Sequence, residues 1–140
     1  MKANFCLLVL CMFYSIKAEL LSPYSFFQAV FNKDYVAVYA YLSQGGLLNI
    51  KDRHDRTPMI IAARNNDVAM LELFYEFAPN CLDCENGWTP LMAAVSQNSV
   101  EVVSFLVEKD VNKNSSYNGI SAFELALNYG LEEVVEILKE

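Results

Sequence analysis

Apolar residues in this chain fall in short runs separated by polar punctuation, and most of the runs repeat helical spacing. Val102, Val103, Leu106 and Val107 recur on one face of a helix, as do Val134, Val135, Ile137 and Leu138. Val68 to Tyr75 and Tyr35 to Leu42 form two further segments of the same kind. Ahead of each lies a shorter apolar run. Three of these shorter runs open on a hydroxyl residue: Thr57-Pro58, Thr89-Pro90 and Ser121-Ala122. A hydroxyl there caps the free N–H groups of a helix start, and proline suits the first helical position because its missing N–H would have no partner. The pattern predicts helix, turn, helix and loop, repeated.

The repeat has a fixed period. Thr57-Pro58-Met59-Ile60-Ile61-Ala62-Ala63 is echoed 32 residues later by Thr89-Pro90-Leu91-Met92-Ala93-Ala94-Val95, and after another 32, more loosely, by Ser121-Ala122-Phe123-Glu124-Leu125-Ala126-Leu127. Gly87 and Gly119 each precede a unit start by two residues, and Ala29-Val30 marks an earlier unit that lacks Thr-Pro. Two short helices cannot bury their apolar faces alone, so the units must stack. The Thr-Pro-x-x-x-Ala starts, the turns at Asn66, Asn98 and Gly130, the triplets Glu101-Val102-Val103 and Glu133-Val134-Val135, and the tips at Asp52 to Thr57 and Gly87 to Thr89 resemble ankyrin repeats. The resemblance runs from about Ser22 to Glu140. It implies an all-α ankyrin-repeat solenoid of about four helix-turn-helix units with β-turn or loop tips, at about 22–51, 52–83, 84–115 and 116–140.

Some positions depart from the family pattern. Ankyrin units usually carry a histidine three residues after the threonine; Ile60, Met92 and Glu124 stand there instead, which removes polar cross-links between units. Asp55 replaces the tip glycine of the second unit, a change Asp tolerates because it visits the left-handed region. The first unit is rich in aromatics (Tyr24, Phe26, Phe27, Phe31, Tyr35, Tyr39 and Tyr41) and is expected to close the stack. In the last, Glu132, Glu133, Glu136 and Glu140 give the second helix a water-facing side.

The remaining apolar block, Phe5 to Phe13, follows Lys2 and precedes the small residue Ala18, with no acid before Glu19. This is the layout of a cleaved secretory signal, and the block is shorter than the roughly 20 residues a bilayer span needs. Residues 1–18 are therefore expected to be a cleaved signal peptide, with Ser15 the second-choice cut, and 19–140 the repeat domain. The mature chain would retain 8 basic residues and 17 acids, for a net charge of −9. Such a balance disfavours nucleic acid and anionic lipid as partners. The protein is expected to be exported, periplasmic or secreted, monomeric, and free of stable membrane insertion.

The single histidine, His54, lies between Arg53 and Asp55 with no nucleophile beside it, and the chain has no phosphate-cradling glycine loop or zinc-protease helix. No enzyme, cofactor or metal site is expected. Cys81 and Cys84 form one C-x-x-C, compatible with a local disulfide or with two thiols. The informative charges are Lys51, Arg53, Arg56 and Arg64, half the mature chain's basic residues. In ankyrin proteins, tip residues and those just after the Ala pair line one concave surface. The resemblance thus implies a protein-binding surface of Arg53, His54, Arg56, Arg64, Glu85, Asn86, Trp88, Gln97, Tyr117, Asn118 and Tyr129, suited to an acidic partner. A scaffold-type binding module, an immunity or inhibitor protein neutralising one enzyme or toxin, and a secreted effector acting on host proteins all fit this surface.

Overall fold

A computed structural model describes residues 21–82 and 87–140. Among these residues, eight α-helices form four hairpins: α1 (Pro23–Phe31) with α2 (Tyr35–Ser43), α3 (Pro58–Arg64) with α4 (Val68–Phe77), α5 (Pro90–Ser96) with α6 (Val100–Glu108), and α7 (Ala122–Asn128) with α8 (Glu132–Lys139). The inner helices α1, α3, α5 and α7 stack in sequence, and the outer helices α2, α4, α6 and α8 stack behind them. The solenoid expected from the repeat is the fold observed.

Each hairpin turns in the same way. Lys33, Asn66, Asn98 and Gly130 take the left-handed conformation, at φ 57°, 50°, 53° and 66°. The next residue's N–H, from Asp34, Asp67, Ser99 or Leu131, then donates back to the carbonyl of Ala29, Ala62, Ala94 or Ala126 at 2.9–3.0 Å. This bond occupies a helix-end carbonyl that would otherwise have no partner. It also confirms the register of the first unit, whose Ala29 is the counterpart of Ala62.

The caps follow the sequence reading with one correction. Thr57 Oγ1 accepts from Ile60 N–H at 3.3 Å, and Thr89 Oγ1 from Met92 N–H at 3.1 Å. In the last unit, Ser121 and Glu124 cap each other reciprocally, and the Ser121 backbone and hydroxyl bonds hold the Glu124 carboxyl below its usual range. The first unit has its own hydroxyl-proline start: Ser22 caps α1 ahead of Pro23. It lies two residues earlier in register than Thr57, which makes α1 nine residues long where α3 has seven.

Burial follows position in the stack. Every residue from Pro58 to Ala63 in α3 and from Pro90 to Val95 in α5 is buried, because both helices have a hairpin on each side. Ile60 and Met92, which stand where ankyrin units carry histidine, belong to this apolar core. The polar links between units lie instead at the far end of the hairpins. The Tyr35 hydroxyl donates to both oxygens of Asp67, at 3.0 and 3.2 Å. Burial, reinforced by that hydrogen bond and the negative charge of Asp67, raises the phenol's pKa. Asn66 donates to Glu101 and accepts from Val102 N–H at 3.3 Å, so one turn residue caps the outer helix of the next unit.

The units differ most in how they leave the outer helix. Gly45 and Asp110 take left-handed conformations there, at φ 86° and 55°, but the corresponding Ala78 is extended because Pro79 follows it. A short 3₁₀ turn, Pro79–Leu82, makes this connection, and buried Leu82 anchors it.

Two substitutions test these links by chemical denaturation. Tyr35→Phe should destabilise the protein by about 1–2 kcal/mol, because it leaves the carboxylate of Asp67, only 4% exposed, without its inter-unit donor. Thr89→Ala should cost about 1 kcal/mol through loss of the α5 cap.

Candidate functional site

The second unit's tip is built around Asp52. Its Oδ1 accepts from the N–H groups of His54 and Arg56, at 2.9 and 3.0 Å, and its Oδ2 accepts from the Arg56 guanidinium at 2.7 and 2.9 Å. Burial by itself raises the Asp52 pKa, but the bonds from Arg56 and the His54 N–H outweigh it and the carboxyl is held below its usual value. Asp55, at φ 62°, completes the turn in place of glycine. The last tip closes differently, as a two-residue hairpin that pairs Ser116–Tyr117 with Ile120–Ser121 around left-handed Asn118 and Gly119.

The four clustered cations are not equivalent. Lys51 is paired with Asp55 at 2.8 Å and Arg56 with Asp52. Among the described residues, Arg53 and Arg64 have no acidic partner; Arg53 Nε donates instead to His54 Nε2 at 3.1 Å. The tip therefore keeps a surplus of positive charge in a chain whose net charge is −7.

A groove of about 480 Å³ gathers much of the surface expected from sequence. His54, Arg56, Arg64, Trp88 and Tyr117 line it, with Thr57 and Ile60 as its floor. Trp88 and Tyr117 meet edge to face, with ring centroids 5.8 Å apart and planes at 88°, so the third and fourth tips form one aromatic wall. Trp88 is half-buried rather than exposed, because Tyr117 covers part of it.

Other expected residues go elsewhere. Gln97 turns back to the carbonyl of Ser96, Asn118 serves the hairpin turn, and exposed Tyr129 ends α7; none of the three lines this groove. Glu85, Asn86 and Cys84 lie outside the described residues. The thiol of Cys81 is half-buried and donates to the Phe74 carbonyl at 3.7 Å.

Arg53 faces a second cavity, on the other side of the same tip. This one, of about 530 Å³, is lined by Tyr24, Phe27 and Phe31 of α1, by Lys51, Arg53 and Arg56, and by Ile61 beneath. The first unit's aromatics, expected only to close the stack, line a cavity that the repeat pattern does not announce. The i, i+3, i+7 spacing of Tyr24, Phe27 and Phe31 could have revealed it, since these residues share one helix face.

No helix among the described residues is long and apolar enough to cross a membrane. In sequence, residues 26–116 and 70–140 match the family model of ankyrin repeats in three copies. The chain is also 32% identical over 84 residues to the NAD-capped RNA hydrolases NUDT12 of Macaca fascicularis, Pongo abelii and Homo sapiens. Each match takes in 55% of this chain and 17% of the relative, so the chain spans about a sixth of their length. Ankyrin repeats generally mediate protein–protein interaction and are typically non-catalytic, and with the family model spanning nearly all the described residues, this chain belongs to the ankyrin-repeat family.

Proposed function

We propose that this protein is a non-catalytic binding module that holds one protein partner in the groove between its second, third and fourth tips. The observation that carries this reading is the groove's composition: Arg64, without an acidic partner among the described residues, stands beside the Trp88–Tyr117 wall. Tryptophan, tyrosine and arginine are the residue types that most often dominate interface energy. A carboxylate of the partner would meet Arg64, and an apolar side chain would lie against the rings. The overall acidity of the chain then repels acidic surfaces that do not fit, leaving the tip as the locally attractive region. A stack of this size fits an interface below about 1,600 Å² in total.

The protein is proposed to act outside the cytoplasm, in a periplasm or in secreted form, on the strength of the Lys2, Phe5–Phe13 and Ala18 layout. Within that setting, an immunity or inhibitor protein and a host-directed effector remain the two specialised versions of the same binding role.

Affinity capture from a lysate of the source organism, compared across variants, tests the groove. Trp88→Ala and Arg64→Glu should each leave the helical circular dichroism unchanged and reduce recovery of the same partner about tenfold or more. Arg64 is exposed, so its variant separates a lost contact from a lost fold. Full recovery by both variants would move the site away from this groove. Export is tested by the intact mass of the native product, which should correspond to a chain starting at Glu19; a mass that includes residues 1–18 would overturn it.

A further inference from the structure

The first unit departs from the others at the positions that face the second cavity. Counting from the shared left-handed turn, Phe31 stands where Arg64, Ser96 and Asn128 stand in the later units. Three polar residues and one phenylalanine occupy that position, and the phenylalanine is 56% exposed. Tyr24 stands where Thr57, Thr89 and Ser121 cap their helices. Ser22 has taken over that cap, and Tyr24 projects at 73% exposure. Neither ring serves the core, which is supplied by Phe26, Ala29 and Val30 from the same helix. Phe26 stacks on Tyr41 with centroids 4.0 Å apart and fills the interior of the unit without help from Tyr24 or Phe31.

The two cavities share a wall. Lys51 and Arg56 line both; Arg53 lines only the cavity with Tyr24 and Phe31, and Arg64 only the one with Trp88. Each cavity thus combines an aromatic face with one arginine that has no acidic partner among the described residues, and the cationic tip stands between them. We infer that the two cavities are one bipartite site for an extended segment of a protein partner, with carboxylates at its centre and an apolar or aromatic side chain on either side. The central carboxylates lie over Arg53 and Arg64, one apolar anchor rests against Tyr24 and Phe31 above Ile61, and the other rests against Trp88 and Tyr117. This specifies the partner of the proposed groove and rests on that reading. The charge surplus at the tip selects an acidic segment over a basic one. The aromatic surface at both ends selects an amphipathic segment over a plain acidic run, which would gain only screened surface attraction.

The test uses fluorescein-labelled peptides with blocked termini in which two phenylalanines flank a spacer of glutamates, in a series of spacer lengths. Binding to the purified protein is read by fluorescence anisotropy. At one spacer length, the two-anchor peptide should bind about tenfold more tightly than the same peptide with either phenylalanine replaced by serine. The double variant Tyr24→Ser/Phe31→Ser should erase that advantage, lowering the affinity for the two-anchor peptide to that for a single-anchor peptide. Both residues are exposed, and retained helical circular dichroism checks that the fold survives. Replacing the glutamates with lysines should abolish binding. Equal affinity of two-anchor and single-anchor peptides at every spacer length, or an advantage untouched by the double variant, overturns the bipartite site. If single-anchor binding still depends on Trp88 in that case, the groove proposal stands without it; if no acidic peptide binds and partner capture ignores Trp88→Ala, both fall. Sedimentation of the wild type and the double variant checks the competing occupant. Self-association abolished by Tyr24→Ser/Phe31→Ser would assign the aromatic face to a second copy of this chain and overturn the peptide reading.

Discussion

The structure depends on one recurring bond, from the residue after each left-handed turn to the carbonyl of Ala29, Ala62, Ala94 or Ala126. Inner helices of seven to nine residues are too short to persist alone, since nucleation is costly and two turns make few internal bonds. The turn folds the outer helix back onto the inner one, so each hairpin presents apolar surface to the next. Stacking then buries α3 and α5 on all sides, which is why their sequences read as continuous apolar runs rather than as amphipathic stripes. Asparagine at Asn66 and Asn98 and glycine at Gly130 occupy a conformation that most side chains avoid.

Replacing the customary histidines with Ile60 and Met92 moves the polar stitching rather than removing it. The tip side of the helices becomes apolar, and the links between units pass to the opposite ends of the hairpins, through Tyr35 to Asp67 and Asn66 to Glu101 and Val102. A buried carboxylate such as Asp67 is tolerated because it serves two duties, capping α4 through the Met70 N–H while accepting from the previous unit. At the other face, the tip of the second unit is held by Asp52 and Arg56 together, so its backbone is set before any partner arrives. That arrangement neutralises Arg56 and leaves Arg53 and Arg64 to confer the local charge.

The fold was legible in the residues. The 32-residue echo of Thr57 to Ala63 in Thr89 to Val95 encodes a helix start, a buried face and a turn, and all three are local or nearest-neighbour properties that a sequence carries openly. Ala29-Val30 marks even the weak first unit, whereas its Ser22-Pro23 cap is hard to see because it lies two residues out of register. The candidate site was legible only in part. Arg56, Arg64, Trp88 and Tyr117 were drawn to one groove by their repeat positions, but the direction taken by Arg53, the turn role of Asn118 and the pairing of Lys51 with Asp55 were not.

Period, capping chemistry and apolar burial thus belong to the chain itself, because each depends on residues close in sequence or on the next copy of the same unit. Which arginine remains available, which aromatic is covered and which is left open depend on side chains brought together from different units. Phe31 and Tyr24 belong in the sequence to an aromatic unit expected to close the stack, and only the stacked arrangement, with the tip of the second unit standing beside α1, makes them the wall of a cavity. Burial is settled by what packs against a residue, and for a side chain at the edge of a repeat that neighbour is supplied by tertiary structure.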